Sequence, residues 1–181
     1  MVVVIALVLS VAFGAGDQYL GSMSWHPWAA DVSLLSAPWI LLAFLAGCTQ
    51  RVPRRAALLG LACTGAALLG YGLMTLSPVE NAVLTGRSAA GFVQSEGRVI
   101  VGALVTGPLF GWLGYRWRAR GEWIAAIATA SLLCLEPLAR ISAGDAIRFR
   151  AVWETEVAAG LALAVAVAVS ARRTRGTRAS R

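Results

Sequence analysis

Glu136 lies four residues before Arg140, and Arg150 lies four residues before Glu154. That interval is just over one helical turn, so each acid shares a helix face with its base and can pair with it. Asp17, the Glu96–Arg98 pair, Trp39 and Tyr71 are the other positions with chemistry to offer. Carboxylates gathered with aromatic rings would favour a cationic or zwitterionic solute, and Arg140 or Arg98 would be available for the solute's carboxylate. Glu136, Arg140, Glu154, Arg98, Asp17, Trp39 and Tyr71 are therefore the candidate binding residues. A catalytic site of carboxylates alone, at Glu136 and Glu154, is conceivable, but no pattern demands it. The sequence contains no Gly-rich phosphate loop with Lys, no His-Glu-x-x-His and no Gly-x-Ser-x-Gly. His26 is the only histidine, which excludes His-rich metal sites, and no cofactor motif is present.

The elements that must position these residues follow from composition. Of 181 residues, 58% are hydrophobic and only 14% charged, with a mean hydropathy of +0.70. Soluble domains carry about a quarter charged residues, so a soluble enzyme, a disordered chain and a disulfide-rich module are excluded. Crossing ~30 Å of hydrocarbon takes roughly 20 apolar residues. Runs of near-spanning length occur at about 2–19, 33–48, 56–76, 99–115, 123–138 and 152–171. None alternates with period two, so the expected fold is all-α, a polytopic six-helix transmembrane bundle followed by a basic tail at 172–181.

Every cation is arginine, and eleven of the sixteen fall between spans two and three, between four and five, or after span six. Six spans place these segments on one side with a single acid, Glu122. The positive-inside rule makes that side cytoplasmic, with both termini inside, in the cell membrane. A cleaved signal peptide ending near Ala15 is the alternative for the first span; no Arg or Lys precedes the run, which continues to Tyr19. The terminal arginines have no interleaved aromatics for stacking on bases. Anionic lipid headgroups, not nucleic acid, are their expected partners.

Eight of nine acids lie toward the opposite side. Glu136 sits about four residues inside the end of span five, roughly 6 Å below the surface. Ser36 and Tyr71 lie in the outer thirds of spans two and three. A charge facing lipid costs ~2.5–3.5 kcal/mol, so these groups should turn inward and pair, or line a wet cavity. Glu154 and Glu156 cannot point the same way, and Glu154 is expected inside because Arg150 shares its face. Asp31, Glu80, Asp145 and Arg87 read as interfacial loop charges. The connection from Ser77 to Gly97, with Gly86 and Gly91, could form a lid over the pocket together with Gly21 to Asp31.

Small residues spaced by four predict helix contacts at Ala62, Ala66 and Gly70, at Gly107 and Gly111, and at Ala158, Ala162 and Ala166. Pro38 and Pro108 interrupt two spans. Six of the seven tryptophans, all but Trp39, fall where interfacial anchoring is expected. Cys48, Cys63 and Cys134 read as small buried hydrophobes.

At Asp17-Gln18, at Ser33-Leu34-Leu35-Ser36-Ala37-Pro38-Trp39 and in the Ala/Gly-rich span after Arg54-Arg55, the chain resembles an actinobacterial family of short six-span proteins filed as a domain of unknown function. That resemblance implies a six-helix membrane protein and supplies no activity. In size and topology alone the chain is similar to the substrate-binding subunits of energy-coupling-factor vitamin importers. Those dock a membrane partner subunit through small residues of the first span, a part that Ala6, Ser10 and Gly14 would play. Two functions follow as expectations: an outward-facing binding subunit or small transporter for a small polar solute, or a non-catalytic scaffold or accessory subunit.

Overall fold

The computed structural model describes residues 1–144 and 148–179, with side chains omitted for Ala143 and for residues 170–179. It consists of helices α1 (Val2–Ser22), α2 (Pro27–Ser33), α3 (Ala37–Cys48), α4 (Pro53–Thr75), α5 (Gly86–Ser95), α6 (Gly97–Arg120), α7 (Trp123–Ala143) and α8 (Arg150–Ala179), with a 3-10 turn at Pro78–Glu80. No strand occurs among the described residues. Five helices are long and apolar enough to cross a bilayer, namely α1, α4, α6, α7 and α8. The chain is thus a multi-pass membrane protein with an all-helical bundle.

The second span is broken. α3 has 12 residues, about 18 Å of helix, which is too short to cross alone. α2 meets it at a bend of 44° across a short break, and the pair is apolar enough for a broken span or a re-entrant loop, giving up to six spans. Pro38 stands in the first turn of α3, where its missing N–H is no loss. Pro108 and Pro137 lie inside α6 and α7.

Close helix contacts depend on glycine. α1 packs on α4, α4 on α6, and α6 on α3. A Cβ on Gly14 would collide with the Ala67 carbonyl, one on Gly70 with that of Val11, and one on Gly47 with that of Gly111. Gly60, Gly107 and Gly111 bring α4 and α6 backbone to backbone, and Gly114 does the same against Phe44. Lipid supplies no hydrophobic drive between helices, so dispersion at this range holds the four together.

Helices α7 and α8 form a separate hairpin, in contact along their own length. Toward the arginine end it meets the four-helix unit through a cluster of Ala43, Phe44, Phe110, Ala126 and Val167. Trp117 stacks on Phe44 there, with ring centroids 5.6 Å apart.

Several expectations are corrected here. Ser10 and Gly14 face α4, so these two positions of the first-span ladder are covered within the chain. Ala158 and Ala162 are exposed; the buried stripe of α8 runs through Trp153, Glu156, Gly160 and Val167. Trp153 is only 4% exposed, an interior residue where a surface anchor was expected. The connection from Ser77 to Gly97 holds α5, started by a capping box between Thr85 and Ser88. α8 continues as helix into the basic tail, whose arginine side chains, like Asp145, lie outside the described residues.

The glycine contacts make a paired prediction for thermal unfolding in detergent. Gly111→Ala should destabilise the protein by about 1–3 kcal/mol, because backbone must move. Gly102→Ala, whose Cβ would meet nothing within 4 Å, should be neutral or stabilise by up to ~1 kcal/mol.

Candidate functional site

At the break in span two, α2 ends with carbonyls that no helical N–H reaches, and α3 begins with N–H groups that no helical carbonyl reaches. One turn of α7 supplies both sets of partners. The backbone N–H of Ser36 donates to Glu136 Oε1 at 2.7 Å and that of Ala37 to Oε2 at 3.1 Å. Arg140 donates through Nη2 to the Leu34 carbonyl and, at 3.4 Å, to Ser36 Oγ. Its Nε donates to Glu136 Oε1 at 3.1 Å, closing the clamp. The guanidinium lies over the Trp153 ring, 5.6 Å from its centroid.

Asp31 makes a second tie between the broken span and the hairpin. It is 1% exposed, and its Oδ2 accepts from the Phe149 N–H at 2.6 Å and from Trp153 Nε1 at 3.2 Å. Placed as an interfacial loop charge by the sequence, Asp31 is instead buried in α2. The one available signal was Trp153, since a buried indole N–H needs an acceptor.

The four-helix unit, the clamp and the start of α6 enclose a cavity of about 410 Å³ at the acidic end. Asp17, Ser36, Trp39, Tyr71, Glu96 and Arg140 contribute its polar and aromatic walls. Trp39 stands edge-on to Phe13 and to Tyr71, at centroid distances of 5.4 and 6.3 Å. Phe92 of α5 leans on Tyr71 from outside, 6.1 Å away. The expected lid segment thus reaches the cavity through Phe92 and, near its end, through Glu96.

Asp17 is 7% exposed, and its one hydrogen-bond donor among the described residues is Trp39 Nε1, at 3.2 Å. Glu96 lines the same cavity, and Glu80 ends the 3-10 turn that follows α4. Among the described residues no arginine pairs with any of these three acids; the ion pairs are Arg140–Glu136, Arg150–Glu154 and two from Glu122, to Arg116 and Arg120. Asp17 and Glu96 therefore face the cavity without an ion-pair partner among the described residues, while Arg140, the cation in its wall, is engaged by Glu136. No three of His, Cys, Asp and Glu converge to hold a metal ion among the described residues.

Of the seven candidates, four share this cavity: Asp17, Trp39, Tyr71 and Arg140. Arg140 does so with its donors engaged by Glu136 and the break. Glu136 is half-buried, its oxygens taken by the Ser36 and Ala37 N–H groups, and it does not line the cavity as expected. Two candidates are corrected. Arg98 is exposed and pairs with nothing among the described residues. Glu154 forms the expected pair with Arg150, at 2.6 Å, with side chains 61% and 88% exposed. A paired charge tolerates the surface, and the face shared with Trp153 and Gly160 turns Glu156 inward in its place. Glu96, placed beside Arg98 by the sequence, is the further cavity-lining acid.

No family model, curated protein or solved structure matches this chain.

The clamp makes a graded prediction. Glu136→Ala takes the acceptor from two backbone N–H groups and the carboxylate from the partly buried Arg140, and should lower stability by about 2–5 kcal/mol. Glu136→Gln keeps one acceptor and should lose about 1–3 kcal/mol, both read as detergent melting curves.

Proposed function

We propose that the protein binds a small organic cation in the acidic cavity, as the solute-binding subunit of a membrane carrier or as a small transporter. The observation that carries this reading is Asp17, a buried carboxylate without a cationic partner among the described residues, set against Trp39 and Tyr71 in an open cavity. An ammonium group there would meet a carboxylate on one side and the face of an aromatic ring on the other, with Glu96 adding attraction. Cation–π contact contributes about 0.5–2 kcal/mol, more as water is excluded. The engagement of Arg140 with Glu136 and Leu34 favours a simple cation over a zwitterion. We place the arginine-rich end in the cytoplasm and the cavity on the outer side of the cell membrane.

The alternative is a non-catalytic scaffold or accessory subunit, whose polar groups only hold helices together. Glu136, Arg140 and Asp31 favour it, because each is fully explained by ties between the hairpin and the broken span.

Thermal unfolding with choline, tetramethylammonium and glycine betaine separates the two. Choline at 100 times its dissociation constant should stabilise the protein by about 2.7 kcal/mol, with betaine weaker. Asp17→Asn should abolish this shift without lowering the melting temperature of the ligand-free protein, since it removes an unpaired charge and keeps an acceptor for Trp39. Absence of any shift across the panel supports the scaffold.

A further inference from the structure

Glu156 stands beside the clamp, six residues into α8 and about 9 Å below the helix start. It is 6% exposed, and no N–H or O–H donor reaches its two buried carboxyl oxygens among the described residues. What lies within hydrogen-bond reach is the Glu136 carboxyl. Ionised carboxylates only accept, so no hydrogen bond joins the two unless a proton lies between them. Two carboxyl groups in contact and out of bulk water do not both stay ionised.

The surroundings decide which of the two carries the charge. Glu136 accepts from the Ser36 and Ala37 N–H groups and from Arg140, three donors that favour a carboxylate. The charged groups facing Glu156 from α7 are Glu136 and Arg140, and Arg140 is held on Glu136 and the Leu34 carbonyl. From α2, Asp31 is taken by the Phe149 N–H and Trp153 Nε1. α3 contains no acid or basic residue. Arg150 and Glu154 of α8 pair at the surface, and Arg148, just before α8, is exposed.

We propose that Glu136 and Glu156 form a proton-binding site, in which Glu156 is the neutral acid and donates its hydroxyl hydrogen to a Glu136 oxygen. The proton is then a working member of the clamp. Its release to solvent leaves two negative charges in contact with one guanidinium. Repulsion moves Glu136 off the Ser36 and Ala37 N–H groups, or the new carboxylate draws Arg140 from the Leu34 carbonyl; either change opens the break. Ser36, Trp39 and Arg140 also line the acidic cavity, so proton release reshapes its wall. The site stands whatever the cavity binds.

Infrared spectroscopy of the full chain in nanodiscs reads the proton directly, because a neutral carboxylic acid has a carbonyl stretch that a carboxylate lacks. At neutral pH the parent should show such a band, shifted by carboxyl-13C glutamate and lost in Glu156→Gln. Asp17→Asn should keep it, which separates this site from the cavity. As alkali removes the band, amide protection at Ser36 and Ala37, corrected for the intrinsic effect of pH, should fall at least tenfold in the parent. Glu156→Gln, whose amide still donates to Glu136 and cannot titrate, should keep that protection. Should this variant not fold, the glutamate-labelled parent decides alone, by the presence of the band and by its loss together with the protection. Absence of a glutamate acid band in the parent at neutral pH would overturn the proposal. So would protection at Ser36 and Ala37 that persists after the band has gone.

Discussion

Backbone polar groups in hydrocarbon must be satisfied from within the protein, and a helix broken at membrane depth is tolerated only where other groups take over its open ends. The break at Leu34–Ser36 meets this demand through Glu136 and Arg140, an acid and a base on one turn of α7. The carboxylate caps the N-terminus of α3, where the helix dipole favours negative charge, and the guanidinium caps the C-terminus of α2, where it favours positive charge. Each therefore matches the end it covers, and their mutual bond fixes the spacing between the two ends.

The architecture around the clamp depends on it. Four helices are drawn together by glycine contacts that leave little space between backbones, and the α7–α8 hairpin joins them through few direct contacts apart from one apolar cluster. At the acidic end the joint is polar: Glu136 and Arg140 hold the break, while Asp31 of α2 holds Trp153 and Phe149. The bent span then stands as a partition. On one side Asp17, Trp39 and Tyr71 face an acidic cavity, and on the other Glu156 meets Glu136. A straight helix would leave no open ends there for Glu136 and Arg140 to cover.

Much of this was legible in the residues. Apolar run lengths give the spans, and the Gly107–Gly111 and Ala66–Gly70 ladders identify true contacts because only small residues allow backbones so close. The i, i+4 spacing gives the Glu136–Arg140 pair, and the concentration of acids at one end foretells the cavity. Other features were hidden for a physical reason: spacing says which residues share a face, but not which way the face turns. Glu154 shares a face with Arg150, and that pairing is what lets it remain at the surface while Glu156 goes in. Ala158 and Ala162 form a ladder as regular as that of Gly107 and Gly111, yet point outward. The role of Glu136 as a cap could not be read either, since it joins residues about a hundred positions apart and requires the break itself to be known.

Amide hydrogen exchange across Leu34–Trp39 tests the clamp most directly. In the parent, the Ser36 and Ala37 amides should exchange slowly despite lying outside a continuous helix. In Glu136→Ala they should exchange faster by at least tenfold, while amides in the middle of α4 and α6 stay protected. Fast exchange at Ser36 and Ala37 in the parent, or protection unchanged by the substitution, would contradict the account.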